Sequence, residues 1–284
     1  MIDYPWNDRA GRFSVLRVAA LSLAVIPALW IAFDAATGGL GAKPLDEATH
    51  RTGDWAVRLL LVTLAVTPLR RITGWNRWVI VRRMLGLAAF AYGLAHLTLY
   101  VADQNWHLGR AVIEIAVRPY LTIGFVALAG LAVLAATSTD AAIRRLGRRW
   151  SQLHRIVYAL AALAVLHFFL QSKINATEAT LMMGFLLLLM GLRLAHRAGH
   201  PLSAPRTLAI VALAAAFGTA ALEVLWYGLA TGVPWRSVLE ANLMLTPWPR
   251  PAWWVLAVGF ALALVPLVRQ RVGRWVRTAK SVDA

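Results

Sequence analysis

The hydrophobic positions of this chain fall in long runs separated by short polar breaks. The runs are about 15 to 22 residues long, close to the roughly 20 residues that an α-helix needs to cross a bilayer. The shortest run ends at Arg70 and Arg71. The pattern predicts an all-α, polytopic transmembrane helix bundle with eight spans: 14–34, 55–69, 84–102, 119–137, 151–171, 179–195, 207–228 and 251–268.

Composition supports a membrane protein and excludes several kinds of chemistry. Hydrophobic residues make up 60% of the 284 residues and charged residues 15%, against roughly 45–50% and about 25% in a soluble domain. The absence of cysteine excludes disulfides, thiolate-held iron–sulfur clusters, cysteine nucleophiles and thioether-linked haem. The sequence contains no G-x-G-x-x-G or Walker motif, and we find no internal repeat in it.

The basic residues predict the orientation in the membrane. Of the 29 lysines and arginines, 21 fall at the two ends of the chain and in alternate loops. The positive-inside rule places those segments, with both termini, in the cytoplasm, and the long loops 35–54 and 229–250 outside. The net charge of +16 is therefore explained by topology, with lipid headgroups rather than nucleic acid as its partner.

Three histidines lie inside predicted spans, where ionisable residues suggest function. His96 is in the third span and His154 and His167 are in the fifth; the latter two are roughly 20 Å apart in depth at 1.5 Å per residue. His96 and His167 therefore share the external half of the membrane. Two facing neutral imidazoles are suitable axial ligands for haem iron, so we predict His96 and His167 as metal ligands rather than packing residues.

His154 differs from His167 in direction as well as depth. A step of thirteen residues leaves the two side chains about 220° apart around the helix. His154 could ligate a second haem, hydrogen-bond a haem propionate, or be an interfacial histidine. His196 is close enough to the cytoplasmic face to complete a His154 site. The four histidines outside the spans are predicted to be solvated: His50, His107, His196 and His200.

Two charged residues within spans need partners. Arg58 lies one turn into the second span from its external end. A haem propionate could pair with it there; alternatively, its side chain reaches the external headgroups. Glu223 lies in the seventh span, and the sequence does not indicate its partner.

Four segments carry a resemblance to a known family. They are THRTGDWAVRLLLVTLAVTPLRR (49–71), RRMLGLAAFAYGLAHLTLY (82–100), RPYLTIGF (118–125) and TSTDAAIRRLGRRWSQLHRIVYALAALAVLHFF (137–169). In order and spacing they resemble the MsrQ (YedZ) family, part of the ferric-reductase-like transmembrane group that includes NADPH oxidases. The resemblance covers roughly residues 15 to 195, and His96, His154 and His167 match its histidines.

The resemblance implies a haem-binding membrane subunit of a bacterial methionine-sulfoxide reductase system. Such a subunit lies in the inner membrane, carries one or two b-type haems and is associated with FMN. It takes electrons from the quinone pool or a cytosolic flavin reductase and passes them to the periplasmic molybdopterin enzyme MsrP. Arg148, Arg149 and Arg155 could receive propionates or a flavin phosphate, or simply set the topology. The third span has one histidine where NADPH oxidases have two, which makes a second bis-histidine haem less secure.

The resemblance also divides the chain. Residues 1–195 are predicted to form a haem-binding domain with a six-helix core, and residues 196–284 an extension with two further spans. The function that fits best is an electron-transfer subunit that performs no substrate chemistry itself. The alternatives are a stand-alone ferric or other metal reductase, and a non-redox transporter or scaffold.

Overall fold

The chain folds into α-helices. We describe it from a computed structural model that covers residues 6–7, 11–172 and 175–282, with side chains as far as residue 271. No β-strand forms among those residues. The predicted all-α fold is confirmed.

The helices belong to two compact units. The first contains the described residues up to 63 and from 78 to 171; the second contains residues 64–77 and those from 172 onward. The predicted boundary between residues 195 and 196 lies within the second unit. Because that boundary marks the extent of a sequence resemblance, the two-domain division stays a prediction.

The first unit holds the segments that carry the candidate histidines. A short 3-10 turn occurs at His154–Ile156, and another, Asn76–Trp78, lies where the chain passes from the second unit back to the first. Its helices are α1 (Val15–Thr37), the start of α2 (Pro44–Thr73), α3 (Val79–Asp103), α4 (Leu108–Val117), α5 (Pro119–Ala136), α6 (Asp140–Leu146), α7 (Arg148–Leu153) and α8 (Val157–Gln171).

Small residues bring the helices of the first unit together. Helix α5 packs along α8, where Gly130 faces the Leu160 side chain. Gly93 of α3 likewise faces Leu128 of α5. Such residues let membrane helices approach closely, because no side chain separates the backbones. Tyr92 Oη also donates a 2.8 Å hydrogen bond to a carbonyl of α1.

The second unit packs around an aliphatic core. Helices α9, α10 and α12 contact one another, and Leu188, Leu192, Leu208 and Val255 are buried between them. Ile72, near the end of α2, joins the same core. The helices of this unit are the end of α2, α9 (Thr177–Arg197), α10 (Pro205–Trp226), a π-helical turn (Tyr227–Thr231), α11 (Trp235–Leu243) and α12 (Pro251–Val282).

The protein is a multi-pass membrane protein. Seven helical segments of the described chain are long and apolar enough to cross a membrane. They are Val15–Thr37, Asn76–Asp103, Pro119–Ala136, Arg148–Gln171, Thr177–Arg197, Pro205–Thr231 and Pro251–Arg271. The predicted span 55–69 is not among them. It lies within α2, which is continuous but carries Arg58, Arg70 and Arg71, so its crossing stays a prediction.

Several segments depart from the predicted loops and spans. Helices α4, α6 and α11 occupy segments predicted to be loops, α2 begins inside the predicted loop 35–54, and α12 continues beyond residue 268. A search for runs of about 20 apolar residues passes over helices as short as α4 and α11. Arg193, which we counted with the loop arginines, is instead buried in α9 and donates to the carbonyls of Leu189 and Leu64.

Candidate functional site

His96 is held in a defined orientation by the backbone of α2. Its Nδ1 lies 2.8 Å from the carbonyl oxygen of Thr49. Because a carbonyl oxygen can only accept, Nδ1 carries the proton and donates it. The other ring nitrogen, Nε2, is then the one with a free lone pair, as a metal ligand requires.

His167 is held in the same way by a different helix. Its Nδ1 lies 2.8 Å from the carbonyl oxygen of Tyr120, in the first turn of α5. The same reasoning makes Nδ1 the donor and leaves Nε2 with the lone pair. The two imidazoles therefore share one tautomer, and in each case a backbone oxygen, rather than a charged side chain, fixes it.

The structure brings His96 and His167 together. Their ring centroids are 6.2 Å apart and their planes are inclined by 80°. An imidazole nitrogen binds a transition metal such as zinc at about 2 Å, so imidazoles on opposite sides of one metal ion place their ring centroids roughly 6 Å apart. The observed separation fits that arrangement. No cluster of three or more potential metal-ligating side chains occurs in the described part of the chain.

An ion-pair cluster fixes the beginning of α2 beside this pair. Arg51 bonds Glu47 on the same helix at 2.7 Å and Asp34 of α1 at 2.5 Å. These two hydrogen bonds raise the pKa of the Arg51 guanidinium above its ordinary value. The cluster joins α1 to the turn of α2 that supplies the Thr49 carbonyl.

His154 lies in a different environment. Its ring stacks on Trp150, with centroids 4.0 Å apart, and its Nε2 is 3.1 Å from Thr137 Oγ1. The Thr137 hydroxyl also lies 2.8 Å from the Val133 carbonyl oxygen and 3.2 Å from that of Leu134. His154 therefore differs from His96 and His167, because its Nε2 is engaged in a hydrogen bond and the partner is a side-chain hydroxyl.

The predicted arginines lie at two places in the first unit. The Arg58 guanidinium is 4.9 Å from the centroid of the Trp55 ring, one turn earlier in α2. Arg148 and Arg149 are exposed on α7, and Arg155 is exposed in the turn after it. Their roles toward a cofactor stay predictions. The four histidines outside the predicted spans are exposed: His50, His107, His196 and His200.

Glu223 has partners that the sequence did not indicate. Its fully buried carboxylate accepts a 2.9 Å hydrogen bond from Asn242 Nδ2 and pairs with Arg250. Asn242 belongs to α11 and Arg250 immediately precedes α12. The only available hint was the position of both polar residues in one loop next to the Glu223 span.

Comparison with known proteins places the chain in a family. A family model described as "Ferric reductase like transmembrane component" matches residues 52–165. The chain is 46% identical over 181 residues to "Protein-methionine-sulfoxide reductase heme-binding subunit MsrQ" of Xanthomonas campestris pv. campestris (strain 8004), covering 63% of this chain and 81% of the relative. The protein of the same description from Ralstonia nicotianae is 43% identical over 182 residues, covering 63% and 84%. The chain belongs to the MsrQ family. The resemblance found in the sequence is thereby confirmed.

The relatives named here match only part of the chain. One from Xanthomonas oryzae pv. oryzae (strain MAFF 311018), 44% identical over 195 residues, covers 67% of this chain. About a third of the chain therefore lies outside its match. No solved structure matches the chain.

Proposed function

We propose that this chain is a membrane electron-transfer subunit in which His96 and His167 hold a b-type haem. The observation that carries the proposal is their paired geometry, with the same tautomer and ring centroids 6.2 Å apart. Family membership supports it, since the MsrQ relatives are named as haem-binding subunits.

A haem held by both His96 and His167 would supply electron transfer rather than substrate chemistry, because the two residues would leave no position open to a substrate. The chain's own residues then have a positional role. The Thr49 and Tyr120 carbonyls hold each Nδ1–H and keep Nε2 directed away from the helix that provides the carbonyl. Such hydrogen bonds fix the ring orientation of a ligating histidine and raise its basicity.

The partners follow from the family. We infer that the electrons go to a methionine-sulfoxide reductase, the periplasmic MsrP, and come from the quinone pool or a cytosolic flavin reductase across the bacterial inner membrane. The arginine distribution supports this direction, because it places His96 and His167 in the external half. The exposed Arg148 and Arg149, on the opposite side, are suited to an anionic flavin such as FMN.

Spectra of purified variants test the haem ligands. We expect His96→Ala and His167→Ala each to lose the low-spin haem signal, because either change removes one of two axial ligands. The double variant should be little worse than either single one, since the two residues act as a unit. His50→Ala is the control: its Nδ1 also lies 2.8 Å from a backbone carbonyl, that of Asp46, but the residue is exposed.

The outcomes separate the candidate functions. Full haem with unchanged EPR g-values in His96→Ala or His167→Ala would contradict the ligand assignment. A colourless purified protein would favour a non-redox transporter or scaffold. If the reduced protein is reoxidised by a ferric chelate but not by MsrP with methionine sulfoxide, it is a metal reductase instead.

A further inference from the structure

Each candidate ligand lies directly against a glycine of the neighbouring helix. A Cβ atom placed on Gly53 would be 2.8 Å from His96 Nδ1 and 3.1 Å from its Cε1. A Cβ on Gly124 would be 2.7 Å from His167 Nδ1 and 2.8 Å from its Cε1. Even an alanine at either position would therefore overlap an imidazole ring.

The glycine and the carbonyl that accepts from each ring have the same spacing in both places. Gly53 follows Thr49 by four residues in α2, and Gly124 follows Tyr120 by four residues in α5. In an α-helix the carbonyl of residue i accepts from the N–H of residue i+4. The imidazole therefore shares that carbonyl with the amide of a glycine, whose bare backbone leaves room for the ring.

The two sets are related by a constant offset. The histidine follows the acceptor residue by 47 positions in both cases. Tyr120, Gly124 and His167 thus each lie 71 residues after Thr49, Gly53 and His96. The structure shows an internal repeat of carbonyl, glycine and histidine that the sequence, read alone, did not reveal. Only one residue type besides the histidine is shared, because the repeat is one of backbone geometry.

We propose that Gly53 and Gly124 are positioning residues that set the plane and depth of the two imidazoles. The inference rests on the proposed function and names residues that determine how the ligands are presented. Each ring is confined by a carbonyl that fixes the direction of Nδ1 and by a glycine that fixes how closely the ring approaches the helix. The 80° angle between the two rings follows from the positions of the two helix pairs that carry the repeat.

The ring angle provides a spectroscopic test. Nearly perpendicular axial imidazoles give a strongly anisotropic low-spin EPR signal, whereas parallel ones give a rhombic signal. We expect Gly53→Ala and Gly124→Ala each to displace one ring, and so to shift the g-values or to lower haem affinity. Changes to residues that orient a metal ligand typically cost on the order of tenfold or more in affinity.

Two other glycines of the first unit provide matched controls. Gly86→Ala would add a methyl group that meets only Thr63 Cγ2, at an ordinary 3.5 Å, so we expect an unchanged spectrum and stability. Gly130→Ala would overlap Leu160 instead of a histidine, so it should lower thermal stability without shifting the g-values. Unchanged g-values and haem affinity in both Gly53→Ala and Gly124→Ala would overturn the proposal.

A double variant keeps the test decisive if a single variant does not accumulate. When His96 is alanine, the ring that Gly53 accommodates is absent, so Gly53→Ala should then cost little in accumulation or thermal stability. The same applies to Gly124→Ala with His167→Ala. An equal loss with and without the histidine would mean that the glycine serves general packing, and the proposal would fail. This stability measurement needs no haem. Suppose that Gly53→Ala costs stability only when His96 is present, but that His96→Ala retains a wild-type haem spectrum. The proposed haem ligands would then be wrong, while the contact between glycine and histidine would still stand.

Discussion

Hydrogen bonds distinguish three histidines that the sequence could only group together. His96 and His167 each donate from Nδ1 to a backbone carbonyl, whereas His154 makes its hydrogen bond through Nε2, with a threonine hydroxyl. The resemblance identified all three as family histidines. Their depth and direction along the helix separated His154 from His167, but their hydrogen-bond partners come from α2, α5 and the residue that follows α5. Those partners become visible only in the folded chain.

We expect His154→Ala to leave the low-spin signal assigned to His96 and His167 intact. It should lower stability by about 1–2 kcal/mol, because it removes a hydrogen bond and a stacked ring. Thermal unfolding in detergent and EPR spectra measure the two effects. Thr137→Val is the companion variant, since it removes only the hydroxyl. If His154→Ala instead halves the haem-to-protein ratio while Thr137→Val does not, His154 is the ligand of a second haem.

At the scale of helices, the sequence placed the long apolar elements better than the short polar connections. Helix α10 was predicted as a span, but the helix α11 that supplies a partner to its Glu223 was predicted as loop. Asn242 of α11 is buried, with 6% of its surface exposed. A polar residue is not expected to be buried on its own account; its contact with Glu223 explains its position. The π-helical turn at Tyr227–Thr231 separates these two helices.

The pair of fully buried Glu223 and partly buried Arg250 should be important for stability. We expect Glu223→Gln to destabilise the protein by about 2 kcal/mol, because Arg250 loses its counter-charge but still reaches solvent in part. Denaturation in detergent measures the change. Glu240→Gln, an exposed residue of α11, is the matched control and should have little effect. Equal stabilities of the two variants would show that Arg250 is satisfied by solvent.

At the scale of the whole molecule, the number of crossings decides the topology. Among the residues that the structure describes, seven helical segments qualify as spans by length and composition, and α2 would be the eighth. With α2 crossing, both termini lie on the same side of the membrane; without it, they lie on opposite sides. The arginine distribution favours the first arrangement, with both termini cytoplasmic.

Reporter fusions test that topology. We expect a reporter at residue 284 to be cytoplasmic and one within 229–250 to be external. A more direct test of α2 places reporters at Gly41 and Gly74, which lie just outside its two ends. If α2 crosses the membrane, these two reporters should lie on opposite sides. If both report the same side, α2 does not cross. His96 and His167 would still share one depth, because a single span separates their helices, but their placement in the external half would lose its support.

The sequence by itself determined the membrane class, the positions of most long helices and the family, and it predicts the depth of the candidate histidines. These follow from local quantities: hydrophobic runs of bilayer length, basic residues in alternate loops, and histidines at fixed distances from the helix ends. The same local pattern identifies Arg58 and Glu223 as charged residues within apolar runs, which therefore need partners.

Only the tertiary structure decided what each side chain contacts. The important partners are distant in sequence from the residues that they contact. This is true of the Thr49 and Tyr120 carbonyls, of the glycines beside the imidazoles, and of Asn242 and Arg250, which contact Glu223. Backbone carbonyls are present at every position, so residue identity cannot mark the ones that accept from a histidine. The offset of 71 residues was present in the sequence throughout. It could be interpreted only when helix packing showed which carbonyl and which glycine meet each ring.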